Sequence, residues 1–483
     1  MFSEYKDYDA LGLADLLRRK RVSPAELMEA AVARAREVNP VLNALCYEKY
    51  EESLALARAL PLKGTFGAVP FLLKDSIAAT RFKTSMGSRF FKDVEHKQDA
   101  TLVTRFGEAG LVSFARTCAP ELLMSATTEA VVNGGPTRNP WSLTHSSGGS
   151  SGGASSAVAA GIVPLAHASD GGGSIRIPGS SCGLFGLKPS RGRLPAGPLT
   201  SEIRAGLGTD GFLSRSVRDT AAALAAVCAP DPVAPYAAHG PAVNYADRSS
   251  LPSHRLRIAV WTSAWEMYPV HADCVAAVET LARHCEQLGH AVEVTQPAAF
   301  DYGAYADATT RLFASHVALD IDRRAKLLGR APGPEDLEPA TRSAYEKGKT
   351  ISAADYLAAV ATIHAVGRAM TGFMSNVDVV LTPSLTQPPP LLQEIAQARN
   401  IADHQEANFA RTAFLIPANA SGQPAATVPV HWNAEGLPIG AQMIGGAGRE
   451  DVLFALAFEV EELAPWQPRL SVVTHRAFES ASR

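Results

Sequence analysis

The chain has 483 residues, 46% of them hydrophobic and 19% charged, and carries a net charge of −3. That is enough apolar material for a large core, and a disordered chain is excluded. The near balance of charge supplies no strong field to hold nucleic acid.

The opening stretch, MFSEYKDYDALGLADLLRRK, mixes acidic and apolar positions and has no apolar h-region. No run of about twenty apolar residues occurs anywhere, so no membrane span and a cytoplasmic location are expected. Residues 1–60 read as a helical region. Ser23-Pro24-Ala25-Glu26 is a capping box with proline in the first turn. Leu27, Ala31, Arg34 and Val38 follow at helical spacing, and Pro40 is expected to end the run. Residues 65–120 alternate short strands and helices, with a helix over 101–109 and a strand over 111–115.

The stretch from Arg138 to Arg193 is crowded with glycine and serine. A flexible linker would lack its apolar runs, such as Ala157 to Ala166. Its glycines are therefore read as requirements of backbone geometry. Ser150 opens Ser150-Ser151-Gly152-Gly153, and Ser174 follows Asp170-Gly171-Gly172-Gly173. A helix and a short strand between them would let both hydroxyls reach one point. Lys74 lies upstream, behind the apolar residues Val69 to Leu73. Burial would lower its pKa, and a neutral amine could take a proton from a serine.

After Arg193, Ser216-Val217-Arg218-Asp219 is a second S-x-x-D helix start. Residues 229–254 read as a surface loop rich in proline and alanine. A buried strand is expected over 256–261 and a helix over 271–288, closed by Gly289. Residues 295–375 are mostly helical. A strand over 377–381, strands over 426–432 and 439–444, and a helix over 449–463 complete the chain.

These residues carry a resemblance. Gly67-Ala68-Val69-Pro70 before Leu73-Lys74-Asp75 is one part of it. Gly148 to Gly153, Asp170 to Pro178, and Cys182-Gly183 before Gly186-Leu187-Lys188-Pro189 are the others. Together they resemble the amidase signature family of serine amidohydrolases, in order and in spacing. Weaker likeness runs through Thr137 to Trp141, Asn419 to Ala425, Gly436 to Gly440 and Gly448 to Asp451. Its flavour is nearest to bacterial hydrolases of cyclic nylon oligomers and to cleavers of aryl amides and urethanes.

The resemblance implies an α/β chain, the amidase signature fold, with a large mixed β-sheet covered by helices on both faces. It implies one amidase domain over 1–483. Within it 61–228 would be the signature core, and 295–375 a variable helical region shaping the substrate pocket. It implies Ser174 as nucleophile, Ser150 as a relay serine after a cis peptide, and Lys74 as base. Gly171, Gly172, Gly173 and Ser174 would offer N–H groups to an oxyanion, because a side chain there would obstruct close approach. Met124, Ser125 and Gly149 are expected substrate contacts. Ser151, Asp170 and Arg176 are expected supports, the last two as a buried ion pair. The family's Gly-Lys-Thr-Asn stretch is replaced by Ala115-Arg116-Thr117-Cys118, a departure expected to alter the cleft wall.

Plainer readings apply elsewhere. Cys182 is a packed thiol rather than a nucleophile. The six cysteines are scattered with no C-x-x-C, which argues against a zinc site or disulfide framework. The thirteen histidines show no metal-ligand spacing, and no metal or cofactor is expected. His145 and His167 are given structural hydrogen bonds. Three G-x-S-x-G matches in this stretch are set aside as chance, since polar Thr144-His145-Ser146 supplies no strand before them.

The expected activity is hydrolysis of a small or oligomeric carboxamide, with aryl amides, carbamates and nylon-type oligomers as candidates. A small-molecule amide is the expected partner, without nucleic acid or membrane, and a homodimer is compatible. The alternative is the amidase subunit of a glutamine-dependent tRNA amidotransferase. The divergent 295–375 region and the missing Gly-Lys-Thr-Asn stretch argue against it. A catalytically dead binding protein is disfavoured by the intact Lys74, Ser150 and Ser174.

Overall fold

The computed structural model describes residues 2–231, 234–238, 240, 243–476 and 478. Its N-terminal part holds helices α1 (Ala10–Arg18) and α2 (Pro24–Leu42), strand β1 (Leu45–Cys46) and helix α3 (Tyr50–Ala57). Ser23 and Glu26 form the expected reciprocal cap of α2. Pro40 does not end this helix. It sits in the last turn, where its missing N–H removes one bond, and Asn43 closes the helix in a left-handed conformation (φ +50°).

Strand β2 (Val69–Lys74), α4 (Thr101–Glu108) and β3 (Leu111–Thr117) follow. Strands β1, β3 and β2 form a three-stranded sheet in that order, with β2 parallel to β3. All six residues of β2 are buried, so its polar end, Lys74, is carried into the interior by its apolar neighbours.

The short hairpin of β4 (Arg138–Asn139) and β5 (Ser142–Ser146) leads into α5 (Gly152–Ala159), β6 (Leu165–Asp170), α6 (Arg176–Cys182) and β7 (Phe185–Lys188). A strand does therefore precede the first G-x-S-x-G match, against the sequence reading. It belongs to a two-stranded hairpin outside the main sheet, which is not the setting of a hydrolase elbow.

Beyond β8 (Thr209–Ser214) and α7 (Val217–Val227) come β9 (Arg257–Val260), α8 (Ala272–Gln287) and β10 (Ala291–Val294). The described part of 229–254 contains no helix or strand beyond a short 3-10 turn at Arg248–Ser250. Three helices fill most of 295–375: α9 (Tyr302–Leu328), α10 (Pro339–Thr350) and α11 (Ala353–Phe373). The chain continues with β11 (Val379–Pro383), α12 (Ile401–Thr412), α13 (Ile416–Ser421), β12 (Ala425–Trp432), β13 (Pro438–Gly445), α14 (Glu450–Leu463) and α15 (Gln467–Thr474).

The main sheet is mixed and eight-stranded, in the order β10-β9-β11-β13-β12-β7-β8-β6. Its central strands are apolar on both faces, as strands buried on two sides must be. Val379 and Leu381 of β11 face one core with Ala441 and Met443 of β13, while Val380 and Ile444 face another. The first core takes Val278 and Leu281 of α8 and Leu453 of α14; the second takes Tyr305 of α9, Val366 of α11 and Ala418 of α13. Helices thus cover both faces.

Ser216 and Asp219 do not cap their own helix. The Asp219 carboxylate accepts from the N–H groups of Ala10 (2.7 Å) and Leu11 (3.0 Å), and so caps α1 from another element. No helix among the described residues is long and apolar enough to cross a membrane.

Candidate active site

Lys74 ends β2 beside β6. Its backbone N–H donates to His167 Nδ1 at 3.2 Å. An accepting Nδ1 places the imidazole proton on Nε2, which donates to Asp210 Oδ1 at 3.0 Å. This fixes the structural role expected of His167 and docks the small sheet onto the large one. His145 lies apart and bonds Ser142 Oγ.

The Lys74 amine is fully buried and lies among three hydroxyls: Ser150 Oγ at 2.7 Å, Ser151 Oγ at 2.8 Å and Ser169 Oγ at 2.9 Å. Burial pulls its pKa down to about 7; the carboxylates of Asp210 and Asp170 act the other way, and Arg204 reinforces the fall. A neutral amine donates two hydrogen bonds and accepts one. The Ser151 hydroxyl donates to Ser169 O at 3.2 Å, so it accepts from the amine. Ser150 and Ser169 remain as hydroxyls able to donate to Lys74. Ser151 is thus a direct hydrogen-bond partner of the amine.

The Gly149–Ser150 peptide is cis, as the resemblance implies. Gly149, expected among the substrate contacts, is packed on the backbone of Ser125 and Thr127. A Cβ there would lie 2.5 Å from both Ser125 O and Thr127 O. The Ser151 N–H donates to Ser174 O at 3.2 Å, which ties the two serine-bearing turns together.

The turn carrying Ser174 hangs from Asp170. Its carboxylate accepts from the N–H groups of Gly173 (2.6 Å) and Ile175 (3.2 Å). Gly173 N–H is therefore taken, whereas those of Gly171, Gly172 and Ser174 have no protein acceptor among the described residues. Arg176 binds Asp170 through Nε and Nη2, both at 2.9 Å, and both side chains are fully buried. Arg176 also donates to Leu415 O (2.7 Å), Gln442 Oε1 (2.6 Å) and Asn419 Oδ1 (2.6 Å). Burial would raise the Asp170 pKa, but the charge and hydrogen bonds of Arg176 outweigh it and hold the carboxyl well below its ordinary value.

Ser150 and Ser174 open into one cavity of about 770 Å³. Met124 and Ser125 line it, with Ile177, Ile203, Phe313 and Ile416 among its apolar walls. Phe313 comes from α9, inside the 295–375 region. Arg116, in the stretch that departs from the family pattern, is buried and donates to Lys74 O at 3.1 Å and Phe82 O at 3.2 Å. Cys182 is buried, and burial pushes its thiol up to about 12, where it stays protonated and inert.

Sequence reasoning missed Ser169, Asp210, Gln442 and Arg204. Period-two spacing on β6 could have found Ser169, since it shares a face with His167. Asp210, Gln442 and Arg204 are distant polar residues with no pattern of their own.

The amidase profile matches residues 26–454. The 6-aminohexanoate-cyclic-dimer hydrolase of Paenarthrobacter ureafaciens is 33% identical over 95% of this chain and 96% of its own. A solved structure of a 6-aminohexanoate cyclic dimer hydrolase complexed with substrate superposes with a TM-score of 0.91, at 32% identity, over 98% of this chain and 99% of that one. A bacterial aryl acylamidase of the amidase signature family superposes at 0.89 and 25% identity, over 98% and 99%. With its buried lysine among serine hydroxyls and its cis turn in the matched positions, the chain belongs to the amidase signature family of amide-hydrolysing enzymes.

Proposed function

We propose that this protein hydrolyses the C–N bond of a small or oligomeric carboxamide through an acyl-enzyme on Ser174, with Ser150 as proton relay and Lys74 as base. One observation carries the reading. A fully buried amine, with a pKa near 7, lies 2.7 Å from a hydroxyl in the wall of the cavity that Ser174 also lines.

Ser174 Oγ attacks the carbonyl carbon, and its proton passes to Ser150 as the Ser150 proton passes to Lys74. The oxyanion sits among the N–H groups of Gly171, Gly172 and Ser174. Collapse breaks the C–N bond, and the same relay run backwards protonates the leaving nitrogen. Water then attacks the ester, deprotonated by the same route, and frees the acid and Ser174. The relatives' activities support oligoamides and aryl amides as first substrates; carbamates belong on the same panel.

A fluorophosphonate is expected to label Ser174 in the wild type and to leave Ser174→Ala unlabelled. Peptide mapping that finds the label on Ser150 or Ser181 overturns the assignment. Turnover of aryl anilides by the purified chain alone argues against the amidotransferase alternative, which needs partner subunits.

A further inference from the structure

Among the charged groups that line the cavity and that the reaction does not use are Arg204 and Asp320; Glu202, Arg323 and Arg324 line it too. Arg204 lies on the loop between β7 and β8 with φ at +53°, and Ala205 follows at +55°. Non-glycine residues rarely adopt this conformation, and such positions gather at functional sites. The loop is propped from beneath. Arg191 Nε donates to Gly206 O at 2.6 Å, and its Nη2 donates to Asn419 O and Ala420 O, both at 2.9 Å.

The Arg204 guanidinium lies 4.5 Å from the centroid of the Phe313 ring, and its Nη2 donates to Leu122 O at 2.6 Å. Its Nη1 is buried and has no partner among the described residues. A methyl group built on Gly171 would come within 3.9 Å of Arg204 Cδ and 4.0 Å of Phe313 Cζ. The Arg204–Phe313 pair therefore flanks the turn that bears the candidate oxyanion donors. Asp320, seven residues along α9 from Phe313 and on the same helical face, lines the same cavity. It makes no hydrogen bond or ion pair among the described residues.

A buried guanidinium with an idle N–H needs an acceptor. A carboxylate ligand would supply one, yet it would also face Asp320. A neutral amide suits both groups, since it offers an oxygen to the cation and an N–H to the carboxylate. Burial raises the Asp320 pKa, while Arg204 and Arg323 draw it back down. Resting on the amidase reading, we propose that Arg204 and Asp320 recognise a second amide group of the substrate. Its carbonyl oxygen accepts from the guanidinium and its N–H donates to the carboxylate, so that bis- and oligoamides are chosen over simple alkyl amides.

The test is a set of acyl p-nitroanilides of graded chain length whose far end is a primary carboxamide, a methyl ester, a carboxylate or a plain alkyl group. Values of kcat/KM are compared at pH 9, above the range in which Lys74 titrates, so that only ratios between substrates enter. At the best length the wild type is expected to favour the carboxamide over the alkyl end by about tenfold or more, the effect of one hydrogen bond to a charged donor. Arg204→Met keeps the stem and is expected to cut that ratio to within about threefold. Asp320→Asn removes a like charge and is expected to raise the carboxylate substrate several-fold relative to the carboxamide, without relying on the folding of the Arg204 variant. Failure of the wild type to cleave any anilide overturns the amidase reading, and the recognition pair with it. Cleavage without preference at every length, or a preference unchanged in Arg204→Met, overturns the pair alone. A wild-type preference for the carboxylate overturns the neutral-amide assignment.

Discussion

Lys74 can accept a proton only while neutral, and burial makes it neutral near pH 7. The kcat/KM profile on an anilide is therefore expected to rise with pH through about 7 and then level off. Lys74→Ala is expected to remove the usual worth of general-base assistance, about 10²–10⁴-fold, with an unchanged circular dichroism spectrum. Activated esters should lose less, because their leaving groups need little protonation. Stability carries the same signature. The folded amine titrates near 7 and the unfolded one near 10.5, so between those values the unfolded chain holds the extra proton. Wild-type stability relative to Lys74→Met should therefore rise with pH across that window, read as the difference in Tm at successive pH values. A flat difference contradicts the neutral-lysine assignment. Lys74, Ser150 and Ser174 were legible because each stands in a local pattern of apolar run, serine pair or glycine triplet. Ser169 and Asp210 were not, since a hydrogen bond between distant segments leaves no local trace.

Two devices hold the turns that carry Ser150 and Ser174. The first is the absence of a side chain at Gly149, where carbonyl oxygens lie 2.5 Å from any Cβ. Backbone oxygens cannot swing aside, so Gly149→Ala is expected to cost more than the usual overpacking of about 1–3 kcal/mol and to abolish activity. The measurement is Tm together with anilide turnover, and a variant that keeps both refutes the packing argument. The second is the buried Asp170–Arg176 pair, from which the Ser174 turn hangs. Arg176→Met strands a carboxylate in the interior and is expected to destabilise by about 3–5 kcal/mol. Adding Asp170→Asn should recover part of that Tm loss, because no charge is then left unpaired. The ion pair was legible because a buried charge needs a partner, but its closure by Asn419 and Gln442 was not. The same limit explains the S-x-x-D motif of α7: a local pattern names a cap without naming the helix it serves.

At the scale of the whole molecule, the motif-rich part of the chain is not a unit that could stand alone. Strand β7 is paired on one side by β12, which lies more than two hundred residues later, with Ala425 opposite Lys188. The class of fold was legible from alternating strand and helix patterns, yet this pairing was not, since strand order depends on contacts that cross the chain. Residues 1–228 expressed alone would expose that edge together with the apolar face that α14 covers, where Phe454 packs on Phe185. They are expected to aggregate, as size-exclusion chromatography would show; a soluble monomer with native circular dichroism contradicts this. The cap that Asp219 supplies to α1 carries a different lesson, for protein engineers. Its carboxylate is buried, and the donors it relies on belong to residues 10 and 11. Trimming the first twenty residues would remove the buried Tyr5, Leu13, Ala14 and Leu17, and would also strip the donors from a buried acid in the first turn of α7. Such a deletion strikes the core twice, and neutralising Asp219 should recover only the part of the loss that the stranded carboxylate causes.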